Sequence, residues 1–495
     1  MILFNSNILR EWRFATLSFF SNFALLMKLN NRNINSLAAV LAFLAAYCFF
    51  QFAYPYHLIR REQMNLFLFD WDYILQTYHG IGWMASFASD FIEQFFHLPV
   101  IGPVTIALLL TAIGSVTYRI CSRFLSQKPS LAIAAVIFIW SFIRETDNLY
   151  ITRYTVVFLG YISLLLLALQ FSKDWQKSAA AILFMVFGIW ALGTPVNQYY
   201  GRLFGTPQVK YDRMIGLDAE VARERWDKVI KLSRKDLYMV EASYCYNLAH
   251  AMRGDLGHTL LNHSQGGEST LLLRVSTEKS PFSNCLAGEA WYQLGCMTVA
   301  EQSAIIALQS SPKHTGARYI KRLAQVNIIS SQDAAALKYL NMLSKTLFYR
   351  KWARSMTPES MSESTRKKIA DARSRLAVTD FVHHSYETRA ILLGLLEANP
   401  ANSLARTYLL CSDLMRYDLD QFMEDYTPYM IKAHIYQEAV LIWLSQNDKL
   451  TETNAARYGV DDNTVNKMQY FFRSPEKYPD TYWYYYLNAL EESAQ

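Results

Sequence analysis

Residues 36–56 read SLAAVLAFLAAYCFFQFAYPY, an uncharged stretch that ends in an aromatic cluster. About 20 predominantly apolar residues suffice for a helix to cross the hydrocarbon core of a bilayer, so this stretch predicts a membrane span. Four further apolar stretches follow, at residues 99–118, 130–143, 154–171 and 178–196, and no comparable stretch comes after them. The third is short, at about 14 residues, and could instead be a tilted or re-entrant segment. The pattern predicts an anchor of about five transmembrane helices that carries a large soluble part.

The loops between these stretches carry unequal numbers of lysine and arginine. The N-terminal tail and the loops on its side hold nine: Arg10, Arg13, Lys28, Arg32, Arg119, Arg123, Lys128, Lys173 and Lys177. The opposite loops hold four: Arg60, Arg61, Arg144 and Arg153. Because lysine and arginine are enriched in cytoplasmic loops, the tail is predicted inside and, after five crossings, the soluble part outside. If the third stretch does not cross, the soluble part lies in the cytoplasm instead.

The membrane part divides into a cytoplasmic tail, residues 1–35, and a transmembrane domain, residues 36–196, with an external loop at residues 57–98. Residues 1–26 contain an apolar stretch that is too short to span. Met27-Lys28 resembles a translation start directly before the first span. Residues 1–26 are therefore either an interfacial helix or an upstream extension of the reading frame.

The soluble part has helical spacing of its apolar residues and no persistent strand pattern, which predicts an all-α fold. Leu248-Ala249 with Gly254-Asp255, and Trp291, Leu294, Gly295 with Ala307, resemble the helix–turn–helix of a tetratricopeptide unit. Residues 312–318 recur as residues 400–406, an offset of 88 that is not the repeat period of 34. We predict a tetratricopeptide-like α-solenoid in two helical-repeat subdomains, residues 211–354 and 365–495, joined by a loop at residues 355–364. The terminal YWYYY, residues 482–486, is predicted to pack in the core.

Two groups of residues are candidate sites. Asp70, Asp72 and Glu62 lie in the external loop, where a carboxylate of a membrane glycosyltransferase acts as general base; chance accumulation of acids in a solvated loop is the plainer interpretation. The second group is basic and aromatic: Arg350, Lys351, Trp352, Arg366, Lys367 and Lys368. It is either an ordinary solvated helix face or a patch for an anionic glycan, a lipid head group or an acidic partner.

The sequence contains no motif for other kinds of chemistry. The sequence lacks phosphate-binding loops, a nucleophile elbow and zinc spacing, so no cofactor or metal is predicted, and His383-His384, His258 and His263 are read as surface or packing residues. A net charge of +6 spread along the chain does not indicate nucleic-acid binding. Four cysteines of the soluble part, Cys245, Cys285, Cys296 and Cys411, could form one or two disulfides or remain buried thiols.

Several short stretches carry a resemblance: residues 54–58 (YPYHL), Glu62-Gln63, 66–69 (LFLF), 94–96 (QFF) with Pro99 and Gly102, 319–324 (YIKRLA) and, most specific, 346–352 (TLFYRKW). Together they resemble an uncharacterised family of polytopic membrane proteins with a helical tail, found in Bacteroidales. The resemblance implies a Gram-negative inner membrane, so that the outside becomes the periplasm. It transfers no functional residue, since no activity is established for that family.

We therefore expect an inner-membrane protein, surrounded by membrane lipid, whose periplasmic helical-repeat domain holds a protein or peptide partner in a concave groove as an envelope scaffold. A glycosyltransferase-like enzyme that uses a lipid-linked sugar is the alternative. A transporter subunit is disfavoured because the spans lack ionisable residues. The sequence does not fix the oligomeric state.

Overall fold

The computed structural model describes residues 34–148, 150–171, 175–193, 207–311, 313–377 and 387–493. These residues form helices, turns and loops and no strand, which confirms the predicted all-α fold. The chain divides into two compact units. Unit 1 is Met1–Asp212 with Thr346–Phe348, and unit 2 is Arg213–Lys345 with Tyr349–Gln495. The predicted features of residues 1–26, all four basic residues of the tail, Lys173 and His383-His384 lie outside the described residues.

The helices of unit 1 follow one another closely. They are α1 (Ile34–Cys48, continued by a π-helical turn at Phe49–Ala53), α2 (Tyr56–Gln63), α3 (Trp71–Thr77), α4 (Trp83–Gln94, followed by a 3-10 turn at Phe95–His97), α5 (Ile101–Cys121), α6 (Gln127–Glu145), α7 (Thr152–Phe171) and α8 (Trp175–Leu192).

Three helices among the described residues are long and apolar enough to cross a membrane, rather than the five that the sequence pattern predicts. They are Asn35–Ala53, Ile101–Cys121 and Thr152–Gln170. The stretch at residues 130–143 does lie in a 19-residue helix, α6. However, Gln127, Lys128, Arg144 and Glu145 make both of its ends polar, so its apolar part stays short. The stretch at residues 178–196 falls in α8 and runs past the described residues.

Hydrogen bonds at the helix ends show that the long helices of unit 1 alternate in direction. At one end, which we call the tail end, Asn35 Nδ2 donates to Tyr118 Oη at 2.6 Å, and Arg123 donates to the Leu169 carbonyl at 3.0 Å. The start of α1 therefore lies beside the end of α5, and α5 and α7 end at the same face. At the opposite end, which we call the cap end, Tyr54 Oη donates to the Thr146 carbonyl at 3.2 Å. There the end of α1 meets the end of α6.

The bundle of unit 1 has an aromatic core and an apolar exterior. Phe50, Tyr54, Leu110 and Phe138 are buried together where α1, α5 and α6 meet. Large apolar side chains also face outward, and they do so on all five long helices: Val40 on α1, Leu108 on α5, Val136 on α6, Leu165 on α7 and Val186 on α8. An apolar outer face is the expected surface of a helix bundle that contacts lipid, since a soluble bundle keeps that face polar.

The remaining helices, which apart from the start of α9 belong to unit 2, are shorter. They are α9 (Val209–Val221), α10 (Trp226–Ser233), α11 (Val240–Arg253), α12 (Leu256–Thr259), α13 (Pro281–Leu294), α14 (Met297–Ser310), α15 (Ala317–Ile329), α16 (Asp333–Ser344), α17 (Arg350–Arg354), α18 (Glu363–Ser374), α19 (Thr388–Ala398), α20 (Ser403–Met415), α21 (Leu419–Tyr426), α22 (His434–Gln446), α23 (Glu452–Arg457), α24 (Asp462–Phe471) and α25 (Tyr482–Ser493). The two copies of the sequence echo lie at the starts of α15 and α20. The terminal aromatic run packs as expected: Tyr482 and Trp483 are buried, and Trp483 Nε1 donates to the Glu438 carbonyl at 2.9 Å.

Consecutive helices of unit 2 pair as hairpins: α10 with α11, α13 with α14, α15 with α16, and α19 with α20. The hairpins α13–α14 and α15–α16 also stack on each other through α14 and α15. Unit 2 makes long-range contacts as well, because α12 packs against α22 and α11 packs against α20. An open solenoid contacts only its neighbouring repeats. These contacts join helices that are distant in the sequence, so the predicted solenoid is not confirmed beyond its stacked hairpins.

Two glycines end helices at the positions that the repeat-like spacing indicated. Gly254 ends α11 with φ +79°, and Gly295 ends α13 with φ +86°, the left-handed conformation that an L side chain rarely adopts. They differ in their surroundings. A Cβ atom added at Gly254 meets nothing within 4 Å, whereas at Gly295 it would overlap the carbonyl oxygen of Arg375.

This difference predicts unequal effects of the same substitution. Gly254→Ala should lower the free energy of unfolding by about 1 kcal/mol, the conformational cost alone. Gly295→Ala should add a steric cost of about 1–3 kcal/mol, because the Arg375 backbone must move. Thermal unfolding of the full chain in detergent measures both variants. Equal melting temperatures for the two would contradict the close contact at Gly295.

Candidate functional site

The basic residues that the sequence singled out lie on two helices of unit 2 that both contact α15. On α17, Lys351 is exposed and Arg350 is half-buried, with its Nε donating to the Ser344 carbonyl at 3.2 Å. Trp352 is half-buried, and the ammonium of Lys321, from α15, lies 4.9 Å from the centre of its ring. This is a cation–π geometry, which fixes the indole at the surface.

On α18 the three predicted residues Arg366, Lys367 and Lys368 are all exposed. Arg366 donates to the Pro358 carbonyl at 3.0 Å, and Lys368 Nζ lies 2.9 Å from Glu224 Oε2. Lys367 and Lys351 form no ion pair with the described residues. The helix is anchored by Arg373, whose guanidinium donates to the last carbonyls of α15 at 2.8 and 3.2 Å. We call the six predicted residues together with Lys321 the basic surface.

The three acids of the alternative hypothesis have different surroundings. Asp70 is the N-cap of α3, with its carboxylate accepting from the Tyr73 backbone N–H at 3.1 Å. Asp72 is exposed in the first turn of α3. Glu62 is buried at the end of α2, 3.5 Å from His97 Nδ1. Capping explains Asp70 without catalysis, since an aspartate at this position stabilises a helix by about 1 kcal/mol.

Two other acids of the same loop are buried around an asparagine. Asn65 Nδ2 donates to Asp90 Oδ1 at 3.2 Å and to Glu93 Oε2 at 2.8 Å. The second oxygen of Asp90 accepts from Tyr78 Oη at 2.9 Å. Both carboxylates accept hydrogen bonds from Asn65, so this cluster links the segment after α2 to α4. Its contacts explain it as a structural element.

Sequence reasoning missed a buried ionic network in unit 2. Arg318 Nη2 lies 2.5 Å from Glu289 Oε1 and 3.2 Å from Asp218 Oδ1, and Arg322 Nη2 lies 2.6 Å from Glu289 Oε2. The guanidinium of Arg322 also stacks 3.8 Å from the ring centre of Tyr292. All four charged side chains are buried. The network thereby ties α9, α13 and α15 together. The only sequence signal was the spacing of two arginines four residues apart in an amphipathic helix.

Two arginines face two carboxylates in this network, and the pKa values of the two acids shift in opposite directions. Burial raises the pKa of Asp218, and the single contact with Arg318 offsets only part of that effect. Burial acts on Glu289 in the same direction, but Arg322 and Arg318 together hold the pKa of Glu289 below its usual value. The two guanidinium groups therefore favour the ionised form of Glu289 more strongly than that of Asp218.

The donor atoms of Asp218, Cys285 and Glu289 lie within 4.8 Å of one another, which is a spacing that a metal ion could use. The chemistry does not fit a metal. The guanidinium of Arg318 contacts both carboxylates and so takes the position of the cation. Burial also raises the pKa of the Cys285 thiol to about 12, whereas a metal ligand must be a thiolate. We assign these residues to the ionic network.

The cysteines of unit 2 are free thiols, so the disulfides that the sequence left open are not formed. Cys245, Cys285, Cys296 and Cys411 are all buried. Burial raises the pKa of Cys296 to about 11 and that of Cys411 to about 12. Such thiols are unreactive because the nucleophilic thiolate is scarcely populated.

The chain matches the Family of unknown function (DUF6057) over residues 31–201 and 196–489. The protein belongs to this family. This confirms the expected membership of an uncharacterised family, and the membership brings no activity with it. No curated protein and no solved structure matches the chain. The two matched stretches meet at residues 196–201, shortly before the boundary between the two units at Asp212.

In this DUF6057 protein, two further buried carboxylates of unit 2 have raised pKa values. Burial raises the pKa of Asp413 to about 7, and Arg389 opposes the shift. Burial raises the pKa of Glu438 to about 7 as well, although Glu438 accepts from the Tyr482 backbone N–H at 2.7 Å and lies 3.2 Å from Lys467. Glu438 holds the first turn of α25, so its role is to attach the terminal helix.

The raised pKa of Glu438 predicts that the stability of the fold depends on pH. Its folded pKa lies above its unfolded value of 4.5, so the folded state binds more protons between about pH 4.5 and about pH 7. Its contribution to stability is therefore lost as the pH rises through that window, by up to about 1.4 kcal/mol per pH unit. Glu438→Gln should flatten the decline of the melting temperature between about pH 5 and about pH 8. Glu397→Gln, at an exposed glutamate of α19, is the matched control and should leave the profile unchanged.

Proposed function

We propose that this protein is a multi-pass protein of a bacterial inner membrane, in which unit 1 is the anchor and unit 2 is a periplasmic binding unit for an acidic protein or peptide. The observation that carries the proposal is the basic surface on α17 and α18, which presents exposed cations and, on α17, an indole that contacts the ammonium of Lys321. Its role is that of an envelope scaffold or assembly factor, and no catalytic step is part of it.

The anchor is supported by the helices of unit 1. Three of them meet the length and apolarity of membrane spans. Because α5 and α7 run parallel, α6 must return the chain over the same distance between them. A return by α8 follows in the same way, since Tyr161 of α7 donates to the Gly193 carbonyl just after α8. The bundle would then begin at the tail end and finish at the cap end.

The orientation is supported by which cations are exposed. At the tail end Arg119, Arg123 and Lys128 are all exposed. At the cap end the side chain of Arg61 is 9% exposed and lies 2.5 Å from the buried Glu145, and Arg144 is buried between the rings of Trp140 and Tyr150 at 4.8 Å from each. The tail end therefore presents the excess of free positive charge that marks the cytoplasmic side. Unit 2 follows the cap end in the chain and is assigned to the periplasm.

The binding role of unit 2 is supported by the composition of the basic surface. Arginine, lysine and tryptophan together provide charge complementarity and an amphipathic anchor, and tryptophan and arginine dominate the energetics of protein interfaces. Lys351 and Lys367 have no acidic partner among the described residues, so binding would not require breaking an internal ion pair. An acidic partner meets this surface by complementarity of charge.

The proposal is tested by reversing the charge of the basic surface. The variant Lys351→Glu/Lys367→Glu should abolish the partner adducts that crosslinking in intact cells gives with the wild type. The matched control is Lys228→Glu/Lys231→Glu, which reverses two exposed lysines on α10 and should leave the adducts unchanged. Adducts that survive the first variant, or that contain only lipid carriers and no protein, would refute the binding role.

The topology is tested independently. Alkaline phosphatase fused after Gln495 should be active, because that enzyme folds only in the periplasm, whereas a fusion after Ser126, in the tail-end loop between α5 and α6, should be inactive. Green fluorescent protein fused at the same two positions should give the reverse pattern. An inactive phosphatase and a fluorescent protein after Gln495 would place unit 2 in the cytoplasm.

A further inference from the structure

A cavity of about 610 Å³ lies in unit 1 between α1, α5 and α6. Small side chains line most of it, among them Ala39, Ala42, Gly114 and Ala135. Its origin is the uneven packing of α1. The π-helical turn that continues α1 fills its contact with the neighbouring helices by large residues such as Phe50, whereas α1 itself presents alanines, from Ala38 to Ala45, to the groove. The two helices therefore leave a groove toward the tail end.

The groove is long enough to accommodate the hydrocarbon of one leaflet of a bilayer. Along α1 it extends from Asn35 to Cys48, which corresponds to about 20 Å at 1.5 Å per residue. Half of the hydrocarbon core measures about 15 Å. Both α1 and α5 are candidate membrane spans, so the groove lies at the depth of the acyl chains.

The tail end of the groove is polar and positively charged. Arg119 lines this end and is exposed, next to the hydrogen-bonded pair of Asn35 and Tyr118. Inside the groove, Asn35 Oδ1 and Thr111 Oγ1 are buried without a hydrogen-bond partner among the described residues. No aspartate or glutamate occurs between Glu93 and Glu145, so Arg119 has no acidic neighbour from α5 or the loop that follows it.

We propose that this groove binds one acyl chain of an anionic membrane phospholipid, with the phosphate bound by Arg119 at the tail end. Apolar walls match a hydrocarbon chain, and an exposed guanidinium matches a phosphate. The volume lies within the range of about 300–1,000 Å³ that is typical of small-ligand sites.

Head-group recognition, rather than burial of the chain, gives the groove its selectivity. Lipid tails are as apolar as the groove itself, so transfer from the bilayer gains little hydrophobic free energy. The contact with Arg119 distinguishes an anionic head group from a zwitterionic one, whose own cation repels the guanidinium. The site is therefore expected to retain phosphatidylglycerol in preference to phosphatidylcholine.

The experiment uses the full chain in nanodiscs of equal parts phosphatidylcholine and phosphatidylglycerol. After extraction into detergent, native mass spectrometry counts the phospholipid that stays bound to each molecule. The wild type should retain one phosphatidylglycerol. Arg119→Gln should reduce this retention about tenfold, the loss expected for one charge-assisted contact. Lys128→Gln, which removes an exposed cation of the same end outside the groove, is the control and should have no effect.

A second pair of variants tests the groove itself. Ala39→Phe fills it and should abolish retention, while Val136→Phe introduces the same side chain at an exposed position of α6 that does not line the groove. Unchanged melting temperatures establish that all four variants fold. Retention that is insensitive to both Arg119→Gln and Ala39→Phe, or equal retention of the two lipids, overturns the proposal, as does a dimer mass in place of the lipid adduct. The partner-crosslinking result does not enter, because it depends on unit 2 alone.

Discussion

An ion pair between a largely buried arginine and a buried glutamate fixes the point at the cap end where three helices of unit 1 meet. Arg61 of α2 lies 2.5 Å from Glu145 at the end of α6 and donates to Thr152 Oγ1, the first residue of α7, at 3.2 Å. Neither charge is stable alone in such a place, because an unpaired buried charge costs several kcal/mol. The pair therefore requires three helices to meet at one end. Once they meet, α6 and α7 must run in opposite directions, and the alternation on which the orientation rests follows.

In the same bundle, the size of the side chains determines which part is tightly packed and which part is open. Aromatic residues of α1 fill the core toward the cap end, where the ion pair sits, and alanines of the same helix leave a groove toward the tail end. A helix with large residues throughout would have packed along its whole length and left no room for a ligand. The tightly packed part and the open part both belong to residues 36–56. One stretch of sequence therefore gives unit 1 both its aromatic core and its groove.

The sequence was informative about elements and poor on the roles of side chains. The apolar stretches predicted α1, α5 and α7 as membrane spans, and these three are long and apolar enough to cross a membrane. The stretch within α6 was also predicted as a span, but the polar residues at both ends of α6 shorten its apolar part. The glycines at 254 and 295 predicted two helix ends, because a left-handed residue is a local requirement. The echo of residues 312–318 at 400–406 predicted two helix starts. Yet Arg318 enters the buried network, whereas Arg406 stacks 3.5 Å from the ring centre of Tyr429. What an arginine contacts depends on distant segments, and no local pattern encodes that.

This contrast separates the charges that the fold requires from those left for binding. Arg61, Arg318 and Arg322 are buried against carboxylates, and removing any of them would leave an unpaired charge inside the protein. Arg119, Lys351 and Lys367 are exposed and form no ion pair with the described residues. An exposed cation adds little to stability, so folding alone gives no reason for these three to be basic. Arg119 lines an apolar groove of unit 1, and Lys351 lies on the helix that carries the Trp352 indole. A ligand with an anionic group next to an apolar one matches either place, and that shared chemistry makes these surfaces, rather than the loop acids, the better candidates for function.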